Sequence, residues 1–90
     1  MDNTQPIRIH RASQPRIRQV QAIQRRFALY LAGKTQRDIA AELNISFPAV
    51  SQAINGYSTS RPVAEKLAEI TGKPLHELWP DGRYDSGDAA

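Results

Sequence analysis

Apolar residues return at three- and four-residue steps along most of the chain, and no stretch alternates strongly enough to demand a strand. From about Pro15 to Gly33 the bulky stripe is Val20, Ile23, Phe27 and Leu31, with Arg16, Arg18, Arg25 and Arg26 mostly off it. The spacing predicts an amphipathic first helix with that stripe turned to the core. A second helix is predicted over 36–43. Thr35 opens it with a hydroxyl that can accept from the amides around Asp38, whose carboxylate suits the positive end of the helix dipole. A third helix is predicted over 47–55, where Pro48 is tolerated because first-turn amides have no internal bond to lose, and Gly56 ends it. Ser60 then caps a fourth helix with the stripe Val63, Ala64, Leu67 and Ile70, ending at Gly72. A short fifth covers 74–79 and stops at Pro80. The expectation is an all-α, compact five-helix domain.

Within that order the segment Gln36–Gly56, QRDIAAELNISFPAVSQAING, has the spacing of two short helices crossing through a tight turn. Ala40 falls where the helices approach most closely, and Ile39, Leu43, Ile45, Val50 and Ile54 are expected to form their shared apolar face. Asn44 tolerates the left-handed backbone that ends many helices, and Ser46 can cap the next helix with its hydroxyl. This is a helix-turn-helix pattern, and it makes double-stranded DNA the leading partner.

Composition narrows the classes that remain. Ninety residues allow one small domain and no separate ligand-binding or catalytic domain. Without cysteine there is no disulfide framework or thiolate metal site, and His10 and His76 stand far apart with no neighbouring ligand, so neither metal nor cofactor is expected. No paired carboxylates, nucleophile–base pair or phosphate loop suggests an enzyme. With no long apolar run or signal peptide, the expected location is the cytoplasm, with the nucleoid. The formal charge is only +3, but Met1–Lys34 carries seven basic residues against the single acid Asp2. Positive potential ahead of the motif can neutralise phosphates and release counterions; the plainer alternative is a solubilising basic tail. Residues 1–14 are read as a flexible basic arm, 15–80 as the DNA-binding domain and 81–90 as a C-terminal tail. Arg8, Arg11, Arg16 and Arg18 are the arm's candidate contacts. Leu75, Leu78 and Trp79 are read as closing the core, with Trp79 also a candidate for a dimer contact.

The Gln36–Gly56 segment, followed by SRPVAEKLAEITGKPLHELWP, resembles the lambda-repressor-like family of phage repressors, Cro proteins and small bacterial regulators, over about Ile23–Tyr84. Asn55-Gly56 is similar to the Asn-Gly after the recognition helix of many members, and Trp79-Pro80 followed by Arg83-Tyr84 looks like the Ner-type phage regulators. The resemblance implies a DNA-binding transcriptional regulator, often a repressor. It also implies that helix three lies in the major groove and that the protein frequently acts as a homodimer on half-sites roughly 34 Å apart. An antitoxin-type protein that binds both DNA and a toxin partner is the alternative; a neighbouring small toxin gene would distinguish it from a divergently transcribed phage switch.

On helix three the core claims Val50 and Ile54, which leaves Phe47, Pro48, Ser51 and Gln52 as the candidate base contacts. Gln52 can pair bidentately with adenine, Ser51 can bond several base edges, and Phe47 either packs on a thymine methyl or folds back into the core. Family members commonly carry a polar residue at the positions matching Phe47 and Pro48, so this chain is poorer in direct hydrogen-bond readout. Gln36 and Asn55 match family phosphate-contact positions, and Lys34, Arg37, Tyr57 and Arg61 are the neighbouring candidates.

Overall fold

A computed structural model describes residues 15–85, in which the helices are α1 (Pro15–Leu31), α2 (Gln36–Leu43), α3 (Phe47–Ile54), α4 (Arg61–Thr71) and α5 (Leu75–Leu78), with no strand among the described residues. Local chemistry sets most boundaries. Thr35 and Asp38 form a reciprocal capping box, the Thr35 hydroxyl accepting from the Asp38 amide at 3.1 Å and the Asp38 carboxylate from the Thr35 amide at 2.8 Å. Those hydrogen bonds to Thr35 hold the Asp38 carboxyl below its ordinary pKa. Ser46 accepts from the Ala49 amide to start α3, and Ser60 accepts from Val63 to start α4; in both helices a proline occupies the first turn. At the turn, Asn44 adopts φ 59°, ψ 46°, and is the non-glycine residue with positive φ among those described. An amide side chain tolerates that conformation where a branched one would not.

α4 sits at the centre and packs on all four other helices, with Val63, Ala64 and Leu67 wholly buried. Ile39 and Ala40 from α2, and Val50, Ala53 and Ile54 from α3, meet it, with Leu43 packed at the edge. Trp79 closes the opposite end, almost fully buried, edge-on to the Tyr84 ring at 5.0 Å. Burying a large apolar side chain contributes about 1.5–3 kcal/mol, so the six largest (Trp79, Ile39, Ile54, Leu67, Val50, Val63) are the principal source of stability in so small a unit.

Three sequence-based expectations change. Val20, Ile23, Phe27 and Leu31 do not face the core: all four are exposed, Leu31 by 67%. The inner side of α1 is built from Ala22, Arg25, Ala28 and Leu29. Small side chains let α1 approach closely, and the buried polar position is filled by a guanidinium that bonds two main-chain oxygens. Arg25 is only 2% exposed; its Nε donates to the Ile54 carbonyl and its Nη1 to the Leu78 carbonyl at 2.8 Å. Its guanidinium also lies over the Trp79 ring, 4.8 Å from the centroid. Burial, with some repulsion from Arg83, lowers its pKa to about 10, so the group stays charged at neutral pH. The second change is Ile45, which is 38% exposed in the turn rather than part of the shared face.

The third change concerns the C-terminal boundary. Ordered packing continues past Pro80, because Tyr84 is 2% exposed and belongs to the core, and its hydroxyl accepts from the Ser60 amide at 3.1 Å. Arg83 spans from Asp81 to the loop after α3, donating to the Gly56 carbonyl at 3.2 Å and pairing with Asp81 at 2.9 Å. Partial burial opposes ionisation of Asp81, but its bonds to Arg83 hold its pKa below the ordinary value. Residues 81–84 therefore pack with the domain; the proposed arm before Pro15 and the last residues of the proposed tail lie outside the described residues.

Candidate nucleic-acid interface

The burial of Val50, Ala53 and Ile54 orients α3 and leaves Phe47, Pro48 and Gln52 exposed, with Ser51 half-buried beside them. At spacings of one, four and five residues these four share one strip of the helix. Phe47 does not fold into the core. The Arg37 guanidinium of α2 lies over its ring at 4.7 Å, so the two helices present a combined aromatic and cationic surface at the start of α3.

Of the predicted phosphate contacts, some are presented at the surface and others are engaged within the protein. Gln36, at the first position of α2, is half-buried, and its Oε1 is buried without a hydrogen-bond partner. That oxygen is an acceptor, so a phosphate cannot satisfy it; the amide Nε2 is the group able to donate to DNA. Lys34 pairs with Glu42 at 3.1 Å, and Lys66 approaches the other Glu42 oxygen at 3.4 Å. Hydrogen bonds from Lys34, and then Lys66, hold the Glu42 carboxyl below its usual pKa. Lys34 thus carries its acid with it. Arg61 pairs with Glu65, donates to the Tyr84 carbonyl at 2.9 Å and lies over the Tyr84 ring, which gives it a structural role in fastening the C-terminal segment.

Asn55, immediately after α3, is more ordered than its surface position suggested. Its Nδ2 donates to Ser51 Oγ at 3.3 Å and its Oδ1 accepts from Arg26 Nη1, so a polar chain runs from the recognition strip to α1. Arg26 was missed as a candidate because it reads as one of several solvated arginines; only the approach of α1 to the end of α3 brings it to Asn55. Arg18 lies over the exposed Tyr57 ring at 5.8 Å. Together with Gln19, these four residues line a cleft of about 390 Å³ floored by Ala22 and Ile23. Arg16 and Arg18 are therefore on the first turns of a helix and not on an arm. Arg8 and Arg11 lie outside the described residues.

Gly56 shapes this corner. Its φ is +88°, and a Cβ there would come within 3.3 Å of Arg25 Nη2, so both backbone and space favour glycine. The amides of Tyr57 and Ser58 turn back to the Gln52 carbonyl at 2.9 and 3.3 Å, which fixes the loop against the recognition helix.

A capped helix with an exposed strip, its partner crossing behind it and cationic groups on both flanks make up a DNA-binding helix-turn-helix domain. The family model described as Helix-turn-helix matches residues 25–78, more than half of the chain. The chain belongs to this lambda-repressor-like helix-turn-helix family, whose members are DNA-binding transcription regulators. No curated protein and no solved structure matches it. No described helix is long and apolar enough to cross a membrane, and the described residues hold no cluster of potential metal ligands.

Proposed function

We propose that this protein is a sequence-specific repressor of the phage or prophage type, acting as a homodimer with α3 in the major groove of each half-site. The observation that carries the reading is the exposed strip Phe47, Pro48, Ser51 and Gln52, set directly over the buried Val50, Ala53 and Ile54. Gln52 is the residue best equipped for bidentate reading of a base, and Ser51, held by Asn55, adds an oriented hydroxyl. Phe47 and Pro48 offer apolar contact, suited to thymine methyl groups. Gln36, Arg37, Asn55 and Tyr57 serve as phosphate contacts, with Arg26 and Arg18 supplying charge from α1. Arg8 and Arg11 extend that charge from the arm, while Lys34 and Arg61 contribute less because carboxylates already engage them.

The test is binding of the full chain to the DNA upstream of its own gene, across a salt series, against a scrambled duplex. Preference for the native sequence is expected at every salt concentration; equal affinity for both would sink the reading. Gln52→Ala should relax base preference by about 1–3 kcal/mol at one position of the half-site while leaving the salt slope unchanged. Deleting residues 1–14 should weaken binding to all sequences and flatten the slope by about one for each phosphate that the arm no longer neutralises.

A further inference from the structure

α1 is apolar on two opposite sides, and the monomer uses only one. Against the inner side of Ala22, Arg25, Ala28 and Leu29 stands an outer seam of Val20, Ile23, Phe27 and Tyr30, with Leu31 beside it. Their exposures run from 47% for Val20 to 75% for Tyr30. The steps of three, four and three residues are those of a coiled-coil seam, which needs a facing helix to be covered. These five side chains leave roughly 600 Å² exposed on one helix face, at the upper end for the largest patch on a monomer. Two copies of that face bring the total to about 1,200 Å², the lower end for a specific interface.

We propose that this seam is where two copies of the chain pair, α1 against α1 and antiparallel. The inference deepens the homodimer reading above and rests on it for its purpose, although pairing itself requires no DNA. Charge and volume select the direction of pairing. α1 carries four arginines and no acid, and its last turn has no basic side chain. Parallel pairing would set the arginine-rich ends together. Antiparallel pairing brings Arg16 of one copy towards the carboxyl end of the other α1, where the helix dipole leaves partial negative charge. An antiparallel register centred between Ile23 and Phe27 places Ile23 opposite the second copy's Phe27, and Val20 opposite its Tyr30. Each layer then combines a smaller and a larger side chain; a parallel register would oppose Tyr30 to Tyr30 and Val20 to Val20, crowding one layer and leaving a gap in the other. Beside the seam, a groove of about 390 Å³ between α1 and α5, with Phe27, Ala28, Leu31 and Leu78 on its apolar wall and Lys73 and Glu77 among its polar lining, is open to a side chain from the second copy.

Sedimentation equilibrium of the full chain without DNA, from about 1 to 200 µM, tests the pairing over the range of a micromolar dissociation constant. A monomer–dimer equilibrium is expected, and Phe27→Glu, a surface change whose folding is checked by helical circular dichroism, should weaken it at least about 100-fold, as removal of a central anchor does. Ile23→Lys should act in the same direction. Since the chain contains no cysteine, Val20→Cys mixed with Tyr30→Cys should form a mixed disulfide in preference to either same-site disulfide. A wild-type monomer throughout the range, a dimer indifferent to both seam variants, or dominant same-site disulfides would each overturn the proposal. DNA binding is read separately. Weak sequence-selective binding by monomeric Phe27→Glu supports the regulator reading, whereas a paired wild type with no sequence preference overturns that reading and leaves the pairing intact.

Discussion

α1 and the α2–α3 hairpin place their bulky apolar residues in opposite ways. In the hairpin, pattern and burial coincide apart from Ile45 in the turn: Ile39, Val50 and Ile54 have no exposure, and most polar residues between them face outward. In α1 all the large apolar residues of the predicted stripe face outward, and an arginine joins Leu29 in the core. The difference follows from what each helix must contact. α2 and α3 bury side chains against other side chains, so apolar bulk suits them. α1 also packs where the main chain leaves carbonyls unmatched, at the end of α3 and before Trp79, and there a forked donor stabilises more than a methyl group. A helix can therefore be amphipathic by pattern and inverted in fact.

The strongest way to break this comparison is to remove the inverted residue. Arg25→Ala strands the Ile54 and Leu78 carbonyls, uncovers the Trp79 face and opens space in the core. The expected destabilisation is about 3–5 kcal/mol in a urea or thermal melt. Arg25→Lys keeps the charge but not the fork and should recover less than half of that stability. If Arg25→Ala melted like wild type, the core role of the guanidinium would be wrong. Next in size, Val50→Ala should cost about 2 kcal/mol, since the side chain has no exposure and its neighbours cannot collapse fully into the space.

How far the sequence could be read depends on the range of the interactions. The turn and caps were legible because Thr35 with Asp38, Ser46 with Ala49 and the left-handed Asn44 all act within a few residues, and residue type alone determines what they can do. The strip Phe47, Pro48, Ser51 and Gln52 followed by subtraction once Val50 and Ile54 were assigned inward. Arg25 was not legible, because its partners lie 29 and 53 positions away and are main-chain oxygens, which leave no trace in side-chain identity. Nothing local distinguishes Arg25 from Arg26, yet one is buried under Trp79 and the other reaches Asn55. The same holds for Tyr84, whose anchoring to Ser60 crosses 24 positions. A spacing of 22, 25 and 29 could have hinted at the inner face, but with alanine and arginine in it the bulkier stripe outweighed it.

A smaller effect is expected at the hairpin's own start. Thr35→Ala removes half of the capping box and should cost about 1 kcal/mol at neutral pH. The Asp38 half has a pH signature. Its folded pKa lies below the ordinary carboxyl value, so the unfolded chain takes up the proton first as pH falls. Its stabilisation is complete above about pH 5, an order-of-magnitude bound set by the ordinary carboxyl pKa near 4, and disappears as pH drops through the folded pKa. Asp81, depressed by Arg83, acts in the same direction. Asp38→Asn should therefore flatten the acid limb of a stability–pH profile without steepening it anywhere; an unchanged limb would leave the capping carboxylate without an energetic role.

The smallest effect separates the two faces of α1 most directly. Val20→Ala removes the same two methyl groups as Val50→Ala, but from a position that is 47% exposed in the monomer instead of fully buried. In dilute solution, where copies are apart, it should shift stability by less than about 0.5 kcal/mol, as changes at exposed sites do. At high concentration the comparison sharpens, because a pairing that binds only the folded state raises the melting temperature by mass action. Wild type should then melt higher as it is concentrated, and Val20→Ala should show less of that rise, whereas Val50→Ala should keep the same concentration slope from a lower start. A large destabilisation by Val20→Ala at the lowest concentration would mean that the outer seam already supports the monomer, and the two faces of α1 would no longer differ in kind.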